Sequence, residues 1–329
     1  MSERRRRLVT AACTVGGAAL FAWAVRRAGV AEIADGIRRV GWGLAVVLLL
    51  QGFRFALRTV SWRLCMPPGA HLTFRQAFGA FLAGDAIGSV TPLGLLASEP
   101  TKVFLTRHHL ATGASVASLA VENLVYSASV FAVVTVGLLS VLMTVPLPSP
   151  WQTTIVGALG VLIGVVALAV YLLQRPAAIN PAGSPWRRRL GGVRLAIVEF
   201  SRTNGARLWR AFGVDAAFHS LAVVEVFLTL RWLLGDQSPT FVQALAFETL
   251  NRVVTVAFKF VPFRVGVDEA ISGAVAPLLA VNPAAGVALA VVRKVRNVLW
   301  SGVGLAVIAA HPAQAGRTID RERRAVPPL

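Results

Sequence analysis

Acidic side chains are scarce in this chain: 15 Asp and Glu stand against 33 Lys and Arg. Charged residues of both signs make up only 15% of the sequence, where a soluble domain carries about a quarter. So little charge excludes an ordinary water-soluble surface. Cysteine is nearly missing, with Cys13 in an apolar run and Cys65 in an expected loop, so no disulfide framework is implied. No Cys and His cluster has metal-ligand spacing. His108 and His109 are adjacent, and on a helix they diverge by about 100°, which suits a shared metal poorly. A glycine-rich phosphate loop is also missing, so neither a nucleotide cofactor nor direct ATP drive is expected.

What is present is apolar. Hydrophobic residues make up 56% of the chain and recur in long continuous runs. Such runs predict an all-α, polytopic helical membrane protein. A β-barrel would alternate apolar and polar residues instead. The net charge of +18 comes mostly from arginine. In a membrane chain it reads as arginine on cytoplasmic loops and at anionic headgroups, not as a nucleic-acid surface.

Residues 1–41 are expected to hold a first span and an interfacial helix. The run at 8–25 follows four arginines at 4–7 and is long for a signal peptide, so a retained helix is favoured. Residues 30–40 put Val30, Ile33, Ile37 and Val40 on one helical face. A first half, 42–174, follows. It has spans at 42–57, 73–91, 112–144 and 152–174, with Arg58 and Arg63 assigned to a loop and a PPG turn at 67–69. Residues 175–207 hold seven arginines and read as a basic cytoplasmic loop. The second half, 208–310, has spans at 208–234, 241–261 and 284–310, and 311–329 is a basic cytoplasmic tail. Turns at 145–151 and 235–240 lack positive charge and fall outside. Residues 26–41, with four arginines, break this alternation unless they lie at headgroups. Trp42, Trp62, Trp151, Trp186 and Trp209 lie near span ends and read as an interfacial belt.

Two short stretches interrupt the halves. TPLGLLASEPTK, Thr91 to Lys102, breaks a helix at Pro92 and then places Glu99 and Lys102 three residues apart. VPFRVGVDEA, Val261 to Ala270, repeats proline, glycine and glutamate, and in both stretches the glutamate follows its proline by seven residues. Phe74, Gln76 and Ala77 before the first stretch match Phe241, Gln243 and Ala244 before the second. The loop charges run the copies in opposite directions. An inverted repeat is therefore expected, of about eight full spans and two short broken or re-entrant segments, with Glu99 and Glu269 meeting near the bilayer centre.

Several charges fall inside spans, where they are costly unless paired or used. Asp85 lies in the 73–91 span and Glu122 in the 112–144 span, four residues before Tyr126. Glu248, Arg252, Thr255 and Lys259 share one helical face, as an intrahelical Glu248–Arg252 pair or as a cavity lining. Arg293, Arg296, Asn297 and Trp300 share another. Arg293 lies about 14 Å into its span. It can pair with Glu269, grip a phosphate, or exchange one for the other. Asp215 and His219, four apart, predict a static hydrogen bond ahead of a proton relay.

The pattern resembles the lysylphosphatidylglycerol synthase transmembrane family. The resemblance rests on P-x-G followed by S-E-P-T-K, then Val121-Glu122-Asn123, then V-P-F-R-V-G-V-D-E-A and a later arginine. It spans roughly residues 8–310. Members include the flippase half of multiple peptide resistance factor proteins and stand-alone flippase-like proteins. It implies movement of lipids across the bacterial inner membrane, such as aminoacylated phosphatidylglycerol and, in some branches, hopanoids. By motif position, Glu99, Lys102, Glu269 and Arg293 match the family's polar positions. Ser98 replaces the usual glycine before the first glutamate, and Asn123 replaces the usual arginine after the second. The family's soluble aminoacyl-transferase domain has no counterpart here, so lysyl transfer is not expected.

The leading expectation is a flippase or transporter of a polar lipid, an anionic or aminoacylated phospholipid, a hopanoid or an isoprenoid. It is not expected to be an enzyme, and both termini are expected in the cytoplasm. The candidate lipid-binding residues are Glu99, Lys102, Asp85, Glu122, Arg252, Glu269, Arg293 and Arg296. The alternatives are a membrane enzyme acting on lipid-linked substrates and a scaffold holding a cytoplasmic protein on residues 175–207.

Overall fold

Among the described residues every regular element is helical. A computed structural model describes residues 38–70, 72–91, 94–174, 185–235, 237–258, 261–264 and 266–310. The expected first span, residues 30–37 of the interfacial helix, Pro92, Lys259, residues 175–184 and the tail 311–329 lie outside the described residues.

Helix α1, Gly43–Leu64, runs well past the expected end at residue 57. Arg58 is therefore a buried helical residue and not part of a loop. Trp62 is core, not belt: it is buried, and its Nε1 donates to Ser118 Oγ at 3.1 Å. Cys65 is buried at the helix end. Trp42, Trp151 and Trp209 are exposed, as a belt requires.

Helix α2, Phe74–Val90, starts at a capping box, with Thr73 and Gln76 each bonding the other's backbone N–H. Helix α3, Gly94–Thr106, folds back against α2. A Cβ on Gly94 would meet the Gly88 carbonyl oxygen at 2.3 Å, so this hairpin needs glycine. Helix α4, Thr112–Thr144, and α5, Ser149–Gln174, complete the first half. Helix α5 has an uncharged, mostly exposed apolar surface, as a lipid-facing helix has.

The described part of the basic stretch is largely helical. Residues Pro185–Thr203 form helix α6, and Arg207 already belongs to α7, Gly205–Leu234. Ile197 and Phe200 of α6 pack on Val121, Val125 and Ala211, which tie the helix to α4 and α7.

Helix α8, Phe241–Ala257, has the same length as α2, 17 residues, and the same kind of capping box, here from Thr240 and Gln243. The chain then breaks. A 3-10 turn at Pro262–Arg264 carries Phe263 and Arg264 at φ 49° and 48°. Non-glycine residues held there cost on the order of 1–3 kcal/mol each. Arg264 Nε is clamped by both Asp268 oxygens at 2.9 and 3.1 Å. Helix α9, Val267–Val275, a 3-10 turn at Ala276–Leu279 and α10, Pro283–Ala310, follow.

Helix α1 packs on α7, α2 on α3 and α10, α8 on α4 and α7, and α9 on α10. Among the described residues four helices, α1, α4, α5 and α7, contain segments long and apolar enough to cross a membrane. Helix α10 is 28 residues long but carries Arg293, Lys294 and Arg296. The α2–α10 crossing is close: a Cβ on Gly304 would meet the Leu82 carbonyl oxygen at 2.4 Å. Gly304→Ala is therefore expected to destabilise the protein by about 1–3 kcal/mol through overpacking. Thermal unfolding of the detergent-solubilised variant reads this, and an unchanged midpoint would refute the tight crossing.

Candidate functional site

The interior of this fold is charged. Among the described residues, Arg54, Arg58, Lys102, Arg252, Arg293, Lys294 and Arg296 are all buried. Four acids are buried as deeply: Glu122, Asp215, Glu225 and Glu248. Each cation has an acidic partner, as the cost of burying a lone charge demands.

Two clusters share one design, a single carboxylate between two guanidinium groups. Glu225 of α7 accepts from Arg54 Nη1 of α1 at 3.0 Å and from Arg296 Nη1 of α10. Glu248 of α8 accepts from Arg252 Nε at 2.7 Å and from Arg293 Nη2 of α10 at 3.1 Å. Arg252 Nη1 also donates to the Tyr126 hydroxyl on α4 at 3.0 Å. Phe218 joins the clusters, with Arg54 Cζ 4.4 Å and Arg252 Cζ 5.4 Å from its ring centroid. Each cluster carries a formal charge of +1. Helix α10 serves both, because Arg293 and Arg296, three apart, reach different carboxylates.

A third cluster is inverted in charge. Arg58 Nη2 lies 2.7 Å from Glu122 of α4, and Arg58 Nη1 lies 3.7 Å from Asp215 of α7. Its guanidinium also sits 3.6 Å over the Tyr126 ring. One cation faces two carboxylates, for a formal charge of −1.

Two further pairs lie at the broken helices. Lys102 Nζ donates to Glu99 Oε1 at 2.9 Å within α3. Lys294 of α10 pairs with Glu269 of α9, whose other oxygen accepts from the Gly266 N–H at 3.0 Å. Asp85, half-buried on α2, feels Lys102 as its strongest opposite charge. Beside Glu99 a groove of about 590 Å³ opens between α3 and α4, lined by apolar residues such as Val103, Phe104, Val116 and Leu119. Arg107 and Asn123 also line it, and Glu99 Oε2 has no hydrogen-bond partner.

The expected partners need correction. Arg293 pairs with Glu248, not Glu269. Adjacent residues on a helix point about 100° apart, so of Arg293 and Lys294 it is Lys294 that faces α9. Glu99 and Glu269 occupy separate ion pairs, each with its own lysine. The Glu248–Arg252 pair is present, but it is one side of a larger cluster. Asp215 and His219 do not bond each other: His219 Nε2 meets Ser129 Oγ at 3.1 Å, and Asp215 turns to Arg58. Arg54 and Lys294 were missed as site residues, although both lie inside expected spans, where the cost of a buried charge marks them.

The Glu269–Lys294 pair has a simple test. Glu269→Gln strands the buried Lys294 and Lys294→Met strands the part-buried Glu269, and each should lower the unfolding midpoint. The double variant should recover most of the loss, since replacing both partners of a buried pair costs little. A purely additive loss would contradict the pair.

Helices with apolar outer faces and ion pairs inside define a helical membrane protein with a charged interior. A family model described as lysylphosphatidylglycerol synthase TM region matches residues 9–304. The chain belongs to that family. No curated protein and no solved structure matches it.

Proposed function

We propose that this protein moves a polar lipid between the leaflets of a bacterial inner membrane. The observation that carries this reading is the pair of Arg–Glu–Arg clusters around Phe218, each with one more cation than it needs. A guanidinium already sharing its carboxylate has donors left over, and a phosphate takes two of them side by side. The headgroup would lie between the halves while its chains stay among lipids, entering past the α3–α4 groove. Glu99, Lys102, Asp85 and Arg107 line or flank that entry; Arg252, Arg293 and Arg296 hold the anion. The protein would act as a transporter and not as an enzyme.

An inverted repeat gives this site its alternating access. The matched α2 and α8 caps support the repeat, and so does the packing. Helix α4 of the first half covers α8, α10 of the second covers α2, and α1 meets α7. Exchanging the halves maps these pairs onto each other. Cytoplasmic termini and a cytoplasmic α6 follow from the arginine-rich flanks.

Lipid that remains with the purified protein tests the reading. Extraction and mass spectrometry should find anionic lipid enriched over the membrane of origin. A bound fraction with the bulk composition would contradict it.

A further inference from the structure

We propose that the Asp215–Glu122 pair holds one exchangeable proton, and that this proton is linked through Tyr126 to occupation of the arginine clusters. The coupling clause rests on the proposed lipid movement; the proton site does not.

The charge balance of the third cluster leads there. Glu122 and Asp215 are both fully buried at 0% exposure, and among the described residues Arg58 is the one cation in ion-pair range of either. A second ionised carboxylate would leave an uncompensated negative charge in the interior, and such a charge is strongly disfavoured. The two acids are not equivalent. Glu122 has the short contact at 2.7 Å, while Asp215 stands 3.7 Å from the same guanidinium. No oxygen of either carboxylate is satisfied by a hydrogen bond, and Ser61 lies beside Asp215. His219 Nδ1, one turn further along α7, is also buried without a partner. Asp215 is therefore the proton's seat, as a neutral COOH next to an Arg58–Glu122 ion pair.

The surrounding charges leave this count unchanged. Arg54 from α1 is held by Glu225, and Arg252 from α8 is held by Glu248. Glu99 and Lys102 from α3 neutralise each other. Asp85 from α2 and Arg207 from α7, the latter beside Cys65 at the end of α1, are further charged groups around the cluster and are opposite in sign.

Release of the proton leaves Asp215 as a carboxylate, and the proton passes to water. Arg58 is then shared by two carboxylates. Arg58 rests on the Tyr126 ring, and the Tyr126 hydroxyl accepts from Arg252. A pull on Arg58 toward Asp215 shifts its seat on that ring and so the anchor of Arg252. An anion drawing on Arg252 or Arg293 acts through the same tyrosine in reverse.

Infrared difference spectra of the purified protein, between acid and alkaline buffer, test the proton site without any transport. A protonated-carboxyl band should disappear on going alkaline in the wild type and in Glu199→Gln, an exposed control. It should be missing in Asp215→Asn, which is isosteric and relieves the excess charge. It should also be lost in Glu122→Gln, because Asp215 then becomes the sole partner of Arg58. The same band in Asp215→Asn as in the wild type overturns the site. For the coupling, an imposed pH gradient should change lipid movement in vesicles holding the wild type, and not in those holding Asp215→Asn or Tyr126→Phe. A band with no gradient effect overturns the coupling alone. A wild type that moves no lipid refutes the proposed function and leaves the infrared result standing.

Discussion

Arg293→Ala is expected to stop lipid movement while the protein still folds and inserts. Two features separate these outcomes. Glu248 keeps Arg252, which bonds it through Nε at 2.7 Å, so no buried carboxylate is stranded. What disappears is a guanidinium whose Nη2 alone meets that carboxylate. A hydrogen bond to a charged group contributes about 1.5–3 kcal/mol, so loss of the anion contact should weaken lipid affinity about 10- to 150-fold. Arg293→Lys should recover only part of the rate, since an ammonium lacks the two-pronged geometry of a guanidinium. Arg293→Ala protein that moves lipid at the wild-type rate would make Arg293 a structural charge.

Glu225→Ala is the opposite case and should be the most damaging single change to stability. It strands two buried cations, Arg54 and Arg296, on helices α1 and α10. Removing one partner of a buried pair costs about 3–5 kcal/mol, and here one acid serves two pairs. The variant should be poorly expressed or unfold well below the wild-type midpoint. Adding Arg296→Met should restore part of the loss, because one stranded charge is then gone. Wild-type stability of Glu225→Ala would contradict the cluster.

The helices were largely legible because their ends are written in the sequence. Thr-Phe-Arg-Gln-Ala and Thr-Phe-Val-Gln-Ala open α2 and α8 with the same kind of capping box, and the Phe, Gln and Ala matched between the two halves lie in those first turns. The turns expected at 145–151 and 235–240 likewise closed the α4 and α7 spans near their true ends. The end of α1 was missed for a physical reason. Arg58 and Arg63 look like the flank that fixes topology, yet Arg58 is neutralised by Glu122 on α4, 64 residues away, and the helix runs on through it. Residues 185–203 misled similarly: their arginines mark a flank, and the helix they form is held by Ile197 and Phe200. Candidate site residues were found by the cost of a charge inside an apolar run. Their partners were not, because Glu225, Glu248 and Glu269 each meet a cation on another helix. Sequence spacing resolves neighbours within a helix at three and four residues. It says nothing of rotation between helices, and that rotation gives Lys294 to Glu269 and Arg293 to Glu248.

Lipid translocation in reconstituted vesicles tests the central claim most directly. Headgroup-labelled anionic lipid is placed in both leaflets, and a membrane-impermeant quencher is added outside. Vesicles holding the wild-type protein should lose inner-leaflet signal that protein-free vesicles retain, and vesicles holding Arg293→Ala should behave as protein-free. Inner-leaflet signal that survives equally in wild-type and protein-free vesicles, across anionic, aminoacylated and isoprenoid lipids, would contradict the account.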